Sequence, residues 1–187
     1  MELPNLVEEV TENSMEMEYK LVPPQNEGLR TPSEKFNFQD PQINPVELYN
    51  ILGKALIKLK GVGLSACQIG LPYHFFVLRT DPIIGMFNAE IVDESKEKLN
   101  LEEGCLSFPG IILKIKRPKV IRVRYTDPLG ERKTEKFQDM TAKIIGHEID
   151  HCNGTIFTGR TSRFQIERAI KKAKKSKFEY LIGDILP

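Results

Sequence analysis

Cysteine is scarce in these 187 residues, and it comes in an odd number: Cys67, Cys105 and Cys152. Three thiols cannot form a fully paired framework, so the chain does not read as a disulfide-stapled secreted scaffold, and a reducing compartment is the simpler expectation. Long apolar runs are missing as well. No stretch approaches the roughly 18 residues that a bilayer-spanning helix needs. The opening Met1-Glu2-Leu3-Pro4-Asn5-Leu6-Val7-Glu8-Glu9 is acidic, whereas secretory signals begin basic and transit peptides are rich in Arg, so neither leader is expected. Charge of one sign is lacking too: 27 Lys+Arg against 26 Asp+Glu leave +1, with no global pull toward nucleic acid. No internal repeat or low-complexity tract is apparent. Histidine is rarest in an informative way, because two of only three, His147 and His151, stand four residues apart.

What is present suits a globular protein. With 40% hydrophobic residues, a chain of this length can bury a stable core, and residues 1–187 are read as a single domain. Residues 1–44, rich in Pro, Asn, Gln and Glu, are expected to form an extended arm with a short strand near Tyr19-Lys20-Leu21-Val22. The first helix should follow Asn44. Pro45 suits the first helical position, Val46, Tyr49, Leu52, Leu56 and Leu59 recur at helical spacing, and Gly61-Val62-Gly63 ends the run.

The middle of the chain reads as strands: His74–Leu78, Met86–Val92, Ile111–Lys116 and Val120–Tyr125. Thr126-Asp127-Pro128-Leu129-Gly130 predicts a hairpin turn leading into Arg132–Phe137. A second helix should start at Asp139 as its N-cap and stop at Gly154, with Met140, Ile144, His147, Glu148 and His151 on one face. A third begins near Ser162, whose spacing to Gln165 suits a capping box. It sets Ile166, Ala169, Ile170 and Ala173 opposite Lys171, Lys172, Lys174 and Lys175, and a helix and tail span 161–187. The predicted fold class is α+β: antiparallel strands packed around a central metal-binding helix, with a further C-terminal helix.

That metal-binding character comes from His147-Glu148-Ile149-Asp150-His151. Residues i and i+4 face the same way on a helix, so two imidazoles can reach one ion. The intervening Glu148 can take a proton from water whose pKa a metal lowers from about 15.7 toward roughly 7. The bland reading is a pair of surface or packed histidines. Their predicted place on an apolar face, beside a carboxylate, argues against it. A catalytic site usually has three protein ligands. No His follows His151, and Glu167 and Glu179 sit in no known ligand pattern. The best third donor lies upstream, at Cys105 in Glu103-Gly104-Cys105-Leu106-Ser107, because a thiolate is stabilised beside a divalent cation.

Three separated blocks, Gly61-Val62-Gly63-Leu64-Ser65-Ala66-Cys67-Gln68, Glu103-Gly104-Cys105-Leu106-Ser107 and His147-Glu148-Ile149-Asp150-His151, together resemble the motifs of the peptide deformylase family, over roughly residues 45–170. The resemblance implies hydrolysis of the formyl group from the N-terminal formyl-methionine of nascent polypeptides. It also implies that Cys105, His147 and His151 hold the metal, that Glu148 is general base and later proton donor, and that Gln68 and the backbone N–H of Leu106 form an oxyanion hole. Gly63 and Gly104 would flank the peptide groove. The ion implied is oxygen-sensitive Fe2+, with Zn2+, Ni2+ or Co2+ able to occupy the site. N-formylmethionyl peptides are the expected partners of a monomeric, cytoplasmic enzyme of a bacterium or of a virus's host cell, with a mature organellar form as the secondary reading.

The chain departs from the family at Ser65, usually Ala, at Gly146, commonly Gln, at Cys152, usually Leu, and at Ala89, frequently Pro. Cys67 and Cys152 are read as packing residues. Ile144 is the candidate for the pocket of the methionine side chain. Arg117 is read either as a contact to the substrate backbone or, by the habit of basic residues on alternating strands, as solvated. The lysine run at 171–177 is a solvated face first and a dock for ribosomal RNA second. A different metallopeptidase and a structural zinc module are the competing functions.

Overall fold

The structure, a computed structural model, describes residues 20–175 and 178–185. Its strands in chain order are β1 (Gly63–Ser65), β2 (Phe75–Leu78), β3 (Ile84–Glu94), β4 (Lys98–Cys105), β5 (Phe108–Pro118), β6 (Val120–Thr126) and β7 (Arg132–Gln138). The helices are α1 (Pro45–Lys58), α2 (Asp139–Cys152), α3 (Arg163–Lys175) and the single turn α4 (Ile182–Ile185). Five strands form one sheet in the order β1-β2-β3-β6-β7, and β4 and β5 form a separate hairpin. All of these pairings are antiparallel.

Helix α1 begins where local chemistry directs. The Asn44 side-chain oxygen accepts from the N–H groups of Val46 and Glu47 at 2.9 and 3.3 Å, and Pro45 needs no partner for an N–H it lacks. Leu48, Leu52 and Leu56 then pack on the sheet face made by Leu64, Phe75, Val77 and Phe87. Helix α2 covers the opposite face, where Ala142, Ile145 and Ile149 meet Phe76, Met86, Ile121 and Val123. Because β2 is covered on both faces, it reads as an unbroken apolar run rather than an alternation. Each fully buried side chain of this size contributes roughly 1.5–3 kcal/mol. On the far side of α2, Ile111, Leu113 and Ile115 of β5 pack with Phe157 and with Ile166, Ala169 and Ala173 of α3. The histidine helix therefore lies between a sheet and a hairpin, with antiparallel strands around it as expected.

Three details differ from expectation. The cap of α2 falls at Gln138, whose side chain makes no capping bond. Asp139 instead takes a left-handed backbone (φ 55°), which Asp tolerates better than most residues, and its N–H donates to Lys119 O at 2.7 Å. Lys20 to Val22 form no strand, although the Val22 N–H donates to Gln68 O at 2.9 Å. Strands β1 and β4 are unannounced by pattern: β1 has three residues, and β4 turns Leu99, Leu101 and a buried Glu103 to the same side. Residues 1–19, 176–177 and 186–187 lie outside the described residues, and with them the first part of the arm, the end of the tail and Lys177 of the lysine run. No helix among the described residues is long and apolar enough to cross a membrane.

Candidate metal centre

Three chain-distant pieces converge beside α2. Cys105 ends β4, and Leu106-Ser107 forms a two-residue turn closed by the Cys105–Phe108 pairing. Gly63 lies on β1, and Gln68 on the 3-10 turn Ala66–Ile69 that follows it. His147, Glu148 and His151 come from α2 itself. Gly63, Gln68, Gly104, Cys105, Leu106, Ile144, His147 and Glu148 all line one cavity of about 430 Å³. His151 is buried, with Nε2 3.1 Å from Cys105 Sγ. Every site residue named from the sequence is thus brought to one place.

The donor atoms of Cys105, His147 and His151 lie within 4.8 Å of one another, the one such cluster found among the described residues. Glu103 Oε2 sits 3.1 Å from His147 Nδ1. A carboxylate can only accept, so Nδ1 carries a proton, and Nε2 is the nitrogen left to face a metal ion. Burial opposes charge on His147, but hydrogen bonds with Cys105 and Glu103 outweigh it and raise its pKa to about 10. Burial and the His147 charge hold His151 well below the ordinary range, and its Nδ1 is buried without a hydrogen-bond partner. One imidazole sits in a field that favours positive charge, and the other is a neutral lone-pair donor. A thiolate with two such imidazoles fits a divalent zinc, iron, cobalt or nickel ion.

Behind the cluster runs a chain of charges. Glu103 accepts from Arg117 Nε and Nη2 at 2.6 and 3.0 Å, and Arg117 Nη1 donates to Asp150 Oδ2 at 2.8 Å. Asp150 also pairs with Arg160. Arg117 is 5% exposed, so neither reading made of it from sequence holds: it is buried, and it supports His147 through Glu103. Burial alone would raise the Glu103 carboxyl, but the hydrogen bonds from His147 and Arg117 bring it down to about 2. Gly146 faces the guanidinium, and a Cβ there would touch Arg117 Cδ and Nη1 at 3.4 Å, an ordinary van der Waals contact. The sequence alone assigned no role to Glu103 or Asp150, although each stands within two residues of a ligand candidate in a quoted motif. A second cavity, of about 470 Å³, lies behind α2 and is lined by His74, Gly146 and Arg117.

The remaining groups are closely held. The Ser65 N–H donates to Gln68 Oε1 at 2.9 Å, and Gln68 Nε2 points at Ser107 Oγ and Cys105 Sγ at 3.1 and 3.4 Å. Glu148 accepts from Ser65 Oγ at 2.7 Å, and burial raises its pKa. Gly63 lies beneath that carboxylate, while Gly104 is exposed beside Ile112. Cys67 and Cys152 are buried, and burial pushes the Cys67 thiol up to about 12 and Cys152 well above its ordinary value. Both behave as packing residues.

A family model described as polypeptide deformylase matches residues 18–167. A peptide deformylase of Wolbachia sp. subsp. Brugia malayi is 34% identical over 148 residues, spanning 72% of this chain and 83% of that one. The crystal structure of peptide deformylase from Ehrlichia chaffeensis is similar at a TM-score of 0.73 and 33% identity, covering 84% of this chain and 95% of its own. A peptide deformylase from Synechococcus elongatus, in complex with actinonin, covers 97% of both chains at a TM-score of 0.82, and at 23% identity this is a likeness of fold. The chain belongs to the polypeptide deformylase family, metal-dependent hydrolases, and its reaction is removal of the formyl group from the N-terminal formyl-methionine of nascent polypeptides.

Proposed function

We propose that Cys105, His147 and His151 hold one divalent ion, and that Glu148, Gln68 and the Leu106 backbone carry out the hydrolysis beside it. The observation that carries this reading is the convergence of three donor atoms within 4.8 Å next to a buried carboxylate on one cavity wall. When bound, the ion supplies electrophilic activation of the formyl oxygen and of the attacking water. Water adds to the formyl carbon, the C–N bond breaks and formate leaves. Glu148 carries a proton from that water to the departing amine, a task suited to a carboxylate whose pKa burial has raised. The Gln68 amide and the Leu106 N–H donate to the formyl oxygen as its charge grows, and such a donor is worth about 10²–10³ in rate.

Gly63 and Gly104 border the groove for an extended peptide, and Ile144 lines the place for the methionine side chain. The donor set does not choose among iron, zinc, nickel and cobalt; Fe2+ is the native ion that the family resemblance implies. The enzyme is read as a monomer of the cytoplasm. The exposed Lys171, Lys172, Lys174 and Lys175 of α3 form a solvated face first, and a contact to ribosomal RNA second. Salt-dependent co-sedimentation with ribosomes separates these two readings.

The test is formate release from formyl-Met-Ala-Ser by the wild type, Glu148→Gln and Cys105→Ala, each assayed with Fe2+ under anaerobic conditions and with Zn2+. Turnover that needs both residues is expected, with the Fe2+ form the faster. Formate release that survives in Glu148→Gln sinks the assignment of the base, and equal rates with the two ions sink the preference for iron.

A further inference from the structure

We propose that Ser65 is a positioning residue that sets the geometry of Glu148 and Gln68 together; this rests on the reading of Glu148 as proton carrier. Ser65 is fully buried on β1. Its hydroxyl donates to Glu148 Oε2 at 2.7 Å, with the Glu148 carbonyl oxygen at 3.2 Å. The shorter distance is that of a well-formed O–H···O bond, and it engages one of two carboxylate oxygens. The other, Oε1, lies over Gly63, where a Cβ would come within 2.4 Å of it. A hydroxyl therefore fixes one oxygen, and a missing side chain makes room for the other. Oε1 is left to take the proton from water and to return it to the amine.

The same residue acts on the amide donor through its backbone. The Ser65 N–H holds Gln68 Oε1 at 2.9 Å, so the NH2 group must face the opposite way, and it does, toward Ser107 Oγ and Cys105 Sγ. Base and amide donor thus take their relative placement from one residue of β1. The two roles separate cleanly by mutation, because Ser65→Ala keeps the backbone bond to Gln68 and removes only the hydroxyl. A loosened carboxylate costs rate at the proton-transfer step, not affinity for the peptide.

Ser65→Ala is expected to lower kcat for formyl-Met-Ala-Ser about tenfold, with KM and bound metal per chain as in the wild type. In Glu148→Asp, whose shorter arm withdraws from the hydroxyl, adding Ser65→Ala is expected to leave the residual kcat unchanged. This non-additivity is what a purely structural role would not produce. A kcat within twofold of wild type overturns the proposal, as does an equal loss from Ser65→Ala in the wild-type and Glu148→Asp backgrounds. Absence of formate release by the metal-loaded wild type overturns the functional reading itself, an outcome distinct from an active wild type with an equally active Ser65→Ala.

Discussion

Glu103 grips Arg117 with both carboxylate oxygens, and the two side chains are 4% and 5% exposed. The oxygen shared with Arg117 Nη2 also faces His147 Nδ1, so one buried pair orients a metal ligand. Glu103→Gln removes the charge at nearly constant shape. Metal affinity is expected to fall about 10–100-fold, the usual cost of losing such support behind a ligating histidine. Stability should fall by on the order of 3 kcal/mol, because Arg117 keeps only part of its compensation. Chelator competition and urea unfolding read the two effects; unchanged metal affinity would remove Glu103 from the support of His147.

Gly63 and Gly104 should behave differently despite their common expectation as groove walls. A Cβ at 63 meets Glu148 Oε1 at 2.4 Å, whereas at 104 it meets the end of the Ile112 side chain at 2.8 Å. Gly63→Ala is expected to lower kcat roughly 100-fold, since about 1 Å of misplacement costs that much. Gly104→Ala should act mainly on KM. Steady-state kinetics on one formylated tripeptide decides.

His74 offers a pH dependence outside the metal cluster. Burial lowers its pKa below 6.5, aided by Lys35 and opposed by the Ala89 backbone and Glu90, and its Nε2 has no hydrogen-bond partner. The folded chain therefore keeps His74 neutral where the unfolded chain takes up a proton. Its contribution is fully present above about pH 6.5 and is lost as pH falls toward the depressed folded value. Urea midpoints should decline from pH 7 to pH 5, and His74→Gln should flatten that decline. Parallel slopes for the two proteins would rule His74 out as the source.

The side-chain pocket is tested at Ile144. Ile144→Ala is expected to raise KM for formyl-Met peptides about tenfold while kcat is kept, because lost apolar contact there is worth roughly 1–3 kcal/mol. Lys143 lines the same cavity and donates to the Glu102 carbonyl.

How far the sequence speaks is clearest at Arg117. The histidine pair, its helix and the Asn44-Pro45 start are legible because they depend on neighbours within a turn or two. Arg117 has the same parity as the buried Ile111, Leu113 and Ile115, which places it inward. A basic residue is read outward by habit, because its partners, Glu103 and Asp150, lie 14 and 33 residues away. Strand β4 is obscure for a related reason, since its inward face carries that same Glu103 where a third apolar residue would have completed the alternation. The Ser65–Glu148 bond spans 83 residues, and no local pattern encodes it.

The charge chain behind the cluster has a consequence for valence. Arg117 and Arg160 balance Glu103 and Asp150, so that set is formally neutral. Closest to the ion's place, Cys105 as a ligand thiolate and Glu148 as an ionised base would carry two negative charges, with Lys143 of the same cavity held at the Glu102 carbonyl. A dication cancels both, whereas a monovalent ion leaves surplus negative charge and a trivalent ion surplus positive charge. Donor softness sorts metals by element, and electroneutrality sorts them by oxidation state. Exchange among divalent ions then carries no penalty in charge, whereas a change of oxidation state would.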